Sequence, residues 1–130
     1  MQQVGTSATI LVIDDDDLLR DTLKDILARG GYRAVGAANG DEGLELLGGG
    51  HVALVICDIL MPGKEGIETI REIRNAWPDI KVVAISGGAA GAYDYLRAAK
   101  AFGADTTLTK PIGSEDLLAT VRALLNGPAT

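Results

Sequence analysis

The fold is decided by residues 51–66, HVALVICDILMPGKEG. Residues 52–57 form an apolar run rich in β-branched side chains, which is typical of a strand buried on both faces of a parallel sheet. The run ends at Asp58, and Pro62 and Gly63 then prevent the strand from continuing. The stretch therefore predicts an aspartate at the carboxyl end of a central strand, where open α/β sheets place their ligand sites.

Apolar strands and amphipathic helices alternate along the rest of the chain. Short apolar runs are followed by segments in which apolar residues recur every three or four positions, and Gly or Pro ends most of these segments. We predict strands at about residues 10–13, 32–37, 52–57, 80–85 and 106–109. We predict helices at about residues 17–29, 41–47, 64–77, 93–102 and 114–126. This order predicts an α/β fold, a flavodoxin-like doubly wound sandwich whose parallel five-stranded sheet has the order 2-1-3-4-5.

Composition limits the class of protein. The chain has 130 residues, of which 47% are apolar and 23% charged, and this suits one domain with a real core. We assign residues 9–126 to the domain, residues 1–8 to a flexible N-terminus and residues 127–130 to a tail. The net charge of −6 argues against direct binding of nucleic acid. Because no apolar run is long enough to span a membrane and Cys57 is the single cysteine, we expect a cytoplasmic protein without membrane insertion.

Polar residues stand where four of the predicted strands end. The first strand runs into Asp14 and Asp15, the third ends at Asp58, the fourth at Ser86 and the fifth at Lys110. Because the carboxyl ends of parallel strands meet at one edge of the sheet, we expect these five side chains to lie close together. Helix capping by Asp16 or Asp17 does not explain Asp14 and Asp15.

The chemistry of this set follows from its donor atoms. Clustered carboxylates without a nearby His suit a hard cation held by oxygen, Mg²⁺ or Mn²⁺. A lysine and a hydroxyl opposite them suit a phosphoryl group, and a carboxylate can act as the nucleophile that forms an aspartyl-phosphate. The residue after Lys110 is Pro111, for which a cis bond is one way to fix the geometry of the lysine.

Four motifs give the chain a resemblance to a known family. ILVIDDDD, CDILMPGKEG, AISGG and GADTTLTKPI are spaced as in the receiver domain of two-component response regulators, over about residues 9–126. The chain resembles the stand-alone, chemotaxis-regulator-like members of that family. The resemblance implies a signalling domain that is not an enzyme, apart from catalysing its own phosphorylation and dephosphorylation.

The resemblance also implies roles for individual residues. Asp58 would be the phosphoacceptor, Asp15 and Asp58 would bind Mg²⁺ directly together with the backbone carbonyl of Leu60, and Asp14 would act through water. The phosphoryl group would be held by four residues: Leu60, Ser86, Gly87 and Lys110. The implied partners are a histidine kinase or histidine phosphotransfer protein as donor, and a downstream protein that binds the phosphorylated form.

The chain departs from the family pattern at two positions. Thr107 stands where the family usually has Tyr or Phe, and Ile112 stands where it often has Phe. In the family, the aromatic residue is the usual partner of the hydroxyl at the Ser86 position in switching. The sequence therefore predicts a switch made of Ser86 and Thr107, in which the small Thr107 side chain contributes less than an aromatic residue would.

Two other functions agree with parts of the sequence. A small aspartyl-nucleophile phosphatase would use the Asp-x-Asp of residues 14–16, but this leaves the spacing from Asp58 to Gly66 without a purpose. A receiver-like module that binds partners without phosphorylation would be consistent with Thr107. Incubation with acetyl phosphate and Mg²⁺ separates the three: a stable adduct, turnover of a substrate, or no reaction.

Overall fold

A computed structural model of the chain describes residues 8–59, 66–87 and 92–126, with the side chains of residues 92–96 excepted. The described ranges contain five strands and five helices in strict alternation. The strands are β1 (Thr9–Ile13), β2 (Arg33–Ala37), β3 (Val52–Asp58), β4 (Lys81–Ser86) and β5 (Thr106–Thr109). The helices are α1 (Asp17–Arg29), α2 (Gly40–Gly48), α3 (Gly66–Ala76), α4 (Ala92–Phe102) and α5 (Ser114–Asn126). None of these helices is long and apolar enough to cross a lipid bilayer.

The strands form one parallel sheet in the order β2-β1-β3-β4-β5, which confirms the predicted topology. The register brings the carboxyl ends of the strands to one edge: Ile13 pairs with Cys57, Asp58 with Ile85 and Ser86 with Thr109. The residues that follow β1, β3, β4 and β5 therefore start from nearly the same level. The sequence predicted this edge as the place of the site.

A hydrophobic cluster covers each face of the sheet. One cluster contains Leu11, Val55 and Ala84 with the buried side of α3, and the other contains Val12, Ile56 and Ile85 with α1 and α5. Beyond their first one or two residues, β1, β3 and β4 are buried on both faces, as apolar strands of a doubly wound sheet require. The two clusters hold the central strands rigid, and so they fix the positions of the polar residues at their ends.

Several boundaries differ from the predictions by one residue, since β1 begins at Thr9, β2 at Arg33 and β4 at Lys81. Asp58 and Ser86 are the last residues of their strands. The described part of α3 begins at Gly66 and ends at Ala76, because Pro78 prevents the helix from continuing. Asp16, one of the two predicted caps, is the N-cap of α1 and accepts a hydrogen bond from Leu19 N at 3.1 Å.

Candidate functional site

Asp14 follows β1 and is completely buried. Its backbone N–H donates to the carbonyl of Ala37 at 3.1 Å, which continues the β1–β2 ladder by one step. Its Oδ1 accepts a hydrogen bond from the N–H of Asp16 at 2.9 Å. Its Oδ2 accepts no hydrogen bond from the part of the chain that the structure describes. Its charged neighbour is the ammonium of Lys110, 3.3 Å away, and a buried carboxylate oxygen with no hydrogen bond besides that ion pair is suited to a further ligand that supplies positive charge.

Asp58 is the last residue of β3 and is 4% exposed. The start of α3 lies directly behind it, because a Cβ on Gly66 would collide with the carbonyl oxygen of Asp58 and with Cα of Ile59. Glycine at residue 66 is therefore required for α3 to begin this close to β3. The N–H of Ile59 donates to the carbonyl of Ile85 at 3.0 Å, which extends the pairing past the strand's end.

Lys110 follows β5 and faces both carboxylates. Its backbone N–H donates to the carbonyl of Ser86 at 2.7 Å, and its Nζ lies 3.3 Å from Asp14 Oδ2 and 3.3 Å from Asp58 Oδ2. Burial alone would lower the pKa of Lys110, but the charges of Asp58 and Asp14 outweigh it and raise that pKa above its ordinary value of 10.5. The ammonium group is therefore held in its charged form beside two acids. Separately, the Lys110–Pro111 peptide bond is cis.

Asp15 completes a set of three acids. One carboxylate oxygen from each of Asp14, Asp15 and Asp58 lies within 4.8 Å of the others, with Asp15 exposed and the other two buried. We call these three residues and Lys110 the acidic pocket. A single ammonium cannot neutralise three carboxylates, and an all-oxygen donor set suits a hard divalent cation. The residues present thus fit the predicted Mg²⁺ or Mn²⁺, because three carboxylates share the ammonium of Lys110.

Ser86 and Thr107 lie on the same face of the sheet. Ser86 is the buried last residue of β4, and its Oγ has no hydrogen-bond partner within the described ranges. Thr107 on β5 pairs with Ala84, two residues before Ser86, and is half-buried. Gly87 is half-buried, and a Cβ there would have no atom of the described residues within 4 Å. Leu60, predicted to offer its carbonyl to the metal and to contact the phosphoryl group, lies outside the described residues.

One neighbour of the acidic pocket, Arg20, was missed in the sequence. Arg20 on α1 donates from Nη1 to the carbonyl of Asp14 at 2.8 Å. A signal for part of this contact is the (i, i+3) spacing from Asp17, whose Oδ1 pairs with Arg20 Nη2 at 2.6 Å. Cys57 is fully buried, as predicted, and burial first, then Asp58 and Asp14, raises the pKa of its thiol, so it is inert.

Comparisons with known proteins agree with this geometry. A family model described as the response regulator receiver domain matches residues 10–122. The curated response regulator MprA of Mycobacterium sp. strain KMS is 35% identical over 116 residues, which are 89% of this chain and 50% of that protein. The sensor kinase CckA of Brucella abortus strain 2308 is 38% identical over 122 residues, 92% of this chain and 13% of the kinase.

A similar solved structure is that of a CheY-like response regulator receiver domain protein from Methanospirillum hungatei. It matches with a TM-score of 0.86 at 30% identity and covers 92% of this chain and 94% of that one. The chain spans about half the length of the mycobacterial response regulators that it matches.

Proposed function

Because this chain belongs to the response regulator receiver domain family of two-component systems, we propose that it accepts a phosphoryl group on Asp58 in a reaction that needs Mg²⁺. The phosphorylated and unphosphorylated forms then differ in affinity for a downstream protein. A cytoplasmic location is part of the proposal.

One observation carries the proposal. Asp58 shares one point with two other acids, Asp14 and Asp15, and its Oδ2 lies 3.3 Å from the ammonium of Lys110. Nearly complete burial desolvates the Asp58 carboxylate, which makes it a stronger nucleophile than an exposed aspartate. An ordinary structural ion pair would need one acid for this lysine, so the two further acids at the same point support a cation site.

The transfer step uses the chain's own groups as follows. A carboxylate oxygen of Asp58 attacks the phosphorus of the donor, a new O–P bond forms, and the bond from phosphorus to the leaving group breaks with its electron pair on that group. Lys110 stabilises negative charge on the phosphoryl oxygens, and the Ser86 hydroxyl donates a hydrogen bond to one of them. Gly87 has no side chain of its own, so its backbone leaves room for the transferred group.

The carboxylates of Asp14, Asp15 and Asp58 would hold the cation, together with the carbonyl of Leu60. When bound, the cation neutralises charge on the transferring group and orients it for in-line attack. Without it, the three acids repel both one another and a phosphodonor. Lys110 alone then has to offset all of that charge.

The partners follow from this chemistry. A histidine kinase or a histidine phosphotransfer protein is the proposed donor, with the imidazole nitrogen as leaving group. Phosphorylation gives the Ser86 hydroxyl an acceptor that it lacks in the described ranges, and Thr107 on the same face of the sheet adjusts with it. Since Thr107 is too small to fill the space that an aromatic residue would occupy, we expect the response to centre on Ser86 and Gly87.

Labelling by a small phosphodonor tests the proposal. The full chain is incubated with acetyl phosphate and Mg²⁺, and intact mass spectrometry counts the adducts. We expect one phosphate on the wild type, none on Asp58→Asn and one on the control Asp79→Asn, whose side chain is exposed on the surface. An unlabelled wild type would instead support a phosphorylation-independent binding module. Continuous release of phosphate from a phosphoester would support the phosphatase.

A further inference from the structure

The side chain of Arg20 connects α1 to the end of β1. Its Nη1 donates to the carbonyl of Asp14 at 2.8 Å, and its Nη2 pairs with Asp17 Oδ1 at 2.6 Å. The side chain is only 18% exposed, whereas that of Asp17 is 84% exposed. The guanidinium thus uses two of its donors to hold one backbone carbonyl and one helix residue together.

Gly36 on β2 leaves the path that Arg20 takes. A Cβ at residue 36 would lie 3.0 Å from Cδ and 3.2 Å from Cγ of Arg20, and 3.2 Å from Cδ of Lys24. Both long side chains therefore cross the strand where it has no side chain of its own. A larger residue at position 36 would compete with Arg20 for this space.

The hydrogen bond from Arg20 fixes the last free polar group of the Asp14 backbone. The N–H of Asp14 is held by Ala37 and its Oδ1 by Asp16, so the carbonyl is the remaining polar backbone group. That carbonyl belongs to the peptide that links Asp14 to Asp15. The orientation of this peptide sets the direction in which the exposed Asp15 side chain leaves the backbone.

We propose that Arg20 is a positioning residue for the cation site, because it fixes the Asp14–Asp15 peptide and so aims the Asp15 carboxylate at the point shared with Asp14 and Asp58. The inference rests on the proposed function, which supplies the cation. Loss of a group that orients a metal-binding residue typically weakens metal affinity 10–100-fold. We expect roughly tenfold here, since Arg20 acts through the backbone of one acid.

The sign of the effect separates positioning from charge. Arg20 is a cation, so by Coulomb's law its removal alone would make a site for Mg²⁺ more attractive. Weaker binding after its loss cannot come from that charge. Lys24 is the matched control, because it lies one turn further along α1, packs over the same Gly36 and carries the same charge, yet the structure gives it no bond to Asp14.

The experiment titrates MgCl₂ into the full chain and follows backbone amide NMR signals, for wild type, Arg20→Gln and Lys24→Gln. We expect the dissociation constant to rise roughly tenfold in Arg20→Gln and by less than about twofold in Lys24→Gln. In parallel, labelling by acetyl phosphate is measured against Mg²⁺ concentration. Its midpoint should rise in Arg20→Gln while its rate at saturating Mg²⁺ stays near that of the wild type.

Each outcome decides the matter. Unchanged or tighter Mg²⁺ binding by folded Arg20→Gln would overturn the role of Arg20, and a wild type that binds no Mg²⁺ would overturn the proposed function as well. If Arg20→Gln does not fold, Gly36→Val replaces it, since this variant keeps every charge and occupies the space beneath Arg20. We expect weaker Mg²⁺ binding in Gly36→Val too, and wild-type affinity there would overturn the inference.

Discussion

The two edges of the sheet carry two clusters of opposite character. At the carboxyl edge lies the acidic pocket, in which Lys110 is 3.3 Å from each of two buried carboxylates. At the other edge Arg74 of α3 meets Asp105, which precedes β5, at 2.8 Å. We call Arg74, Gly103 and Asp105 the arginine clasp. Both clusters pair cations with acids, but their hydrogen bonding differs.

The arginine clasp is saturated. Arg74 donates to the carbonyl of Gly103 from Nε at 3.1 Å and from Nη2 at 2.7 Å. Its Nη1 donates to the carbonyls of Pro78 at 2.8 Å and Ile80 at 2.9 Å. Asp105 Oδ2 also accepts the N–H of Val82 at 2.8 Å. The clasp thereby joins the end of α3, the start of β4 and the α4–β5 connection.

The acidic pocket is left unsaturated instead. Ser86 Oγ is buried without a hydrogen bond from the described residues, and Asp14 Oδ2 is buried with only the ion pair to Lys110, 3.3 Å away, among those residues. Three acids that share one ammonium repel one another, which reduces stability, and the proposed cation and phosphoryl group would occupy this site. We infer that the arginine clasp stabilises the fold, whereas the acidic pocket serves the binding proposed above.

The largest expected effect is at the arginine clasp. Arg74→Met should lower the free energy of unfolding by about 2–4 kcal/mol, because several carbonyls and the Asp105 carboxylate lose a charged donor and only partly regain water. Chemical denaturation measures this. The control is Arg71→Met, one turn earlier, whose guanidinium lies 5.1 Å from the ring centre of the half-exposed Phe102 and should cost about 0.5–1 kcal/mol. Equal losses in the two variants would mean that the clasp does not stabilise the fold as described.

Addition of Mg²⁺ should stabilise the folded state through the acidic pocket, as Arg74 does through the arginine clasp. At a concentration about 100 times the dissociation constant, binding to the folded state adds roughly 2.7 kcal/mol. The melting temperature of the wild type should rise with Mg²⁺, and that of Asp15→Ala far less, because one of three acids is lost. Thermal melts over a Mg²⁺ series measure this, with Arg71→Met expected to shift like the wild type. An equal rise in melting temperature in Asp15→Ala would show that Mg²⁺ does not bind at the acidic pocket.

The same substitution should have opposite effects at the two edges. Without Mg²⁺, Asp14→Asn should raise the free energy of unfolding by about 1 kcal/mol, because it relieves repulsion with Asp58 and leaves Lys110 one acid to pair with. Asp105→Asn should lower it by about 1–2 kcal/mol, because a satisfied acceptor loses its charge. Denaturation of both variants without Mg²⁺ checks the pair. Changes of the same sign would contradict the contrast drawn between the clusters.

The sequence allowed prediction of the fold and of the pocket for the same reason. Apolar strands end sharply, so the residues that follow them could be located to within a position or two. Parallel pairing then brought Asp14, Asp58 and Lys110 together, with the Lys110 N–H bonded to the carbonyl of Ser86. The strand order and the N-cap at Asp16 are confirmed. The roles of the individual site residues remain predictions.

The arginine contacts could not be predicted in this way. Arg74 and Asp105 are 31 residues apart, and Arg74 bonds mostly to backbone carbonyls, which have no signature in a sequence. The contact from Arg20 to Asp14 likewise depends on how α1 packs over Gly36. Such contacts are set by tertiary packing, whereas strand ends are set by local composition.

The smallest expected effect concerns pH at the acidic pocket. Asp58 and Asp14 outweigh burial and raise the pKa of Lys110 in the folded state above 10.5, its ordinary value. A raised pKa means that the charged lysine contributes stability that is fully present below pH 10.5 and is lost as the pH rises through the folded-state pKa. The free energy of unfolding of the Mg²⁺-free wild type should therefore fall more steeply above pH 10.5 than that of Lys110→Met. Lys24→Met serves as control, and its alkaline slope should equal that of the wild type. Parallel slopes in all three proteins would show that the two acids do not favour the charged lysine in the folded state.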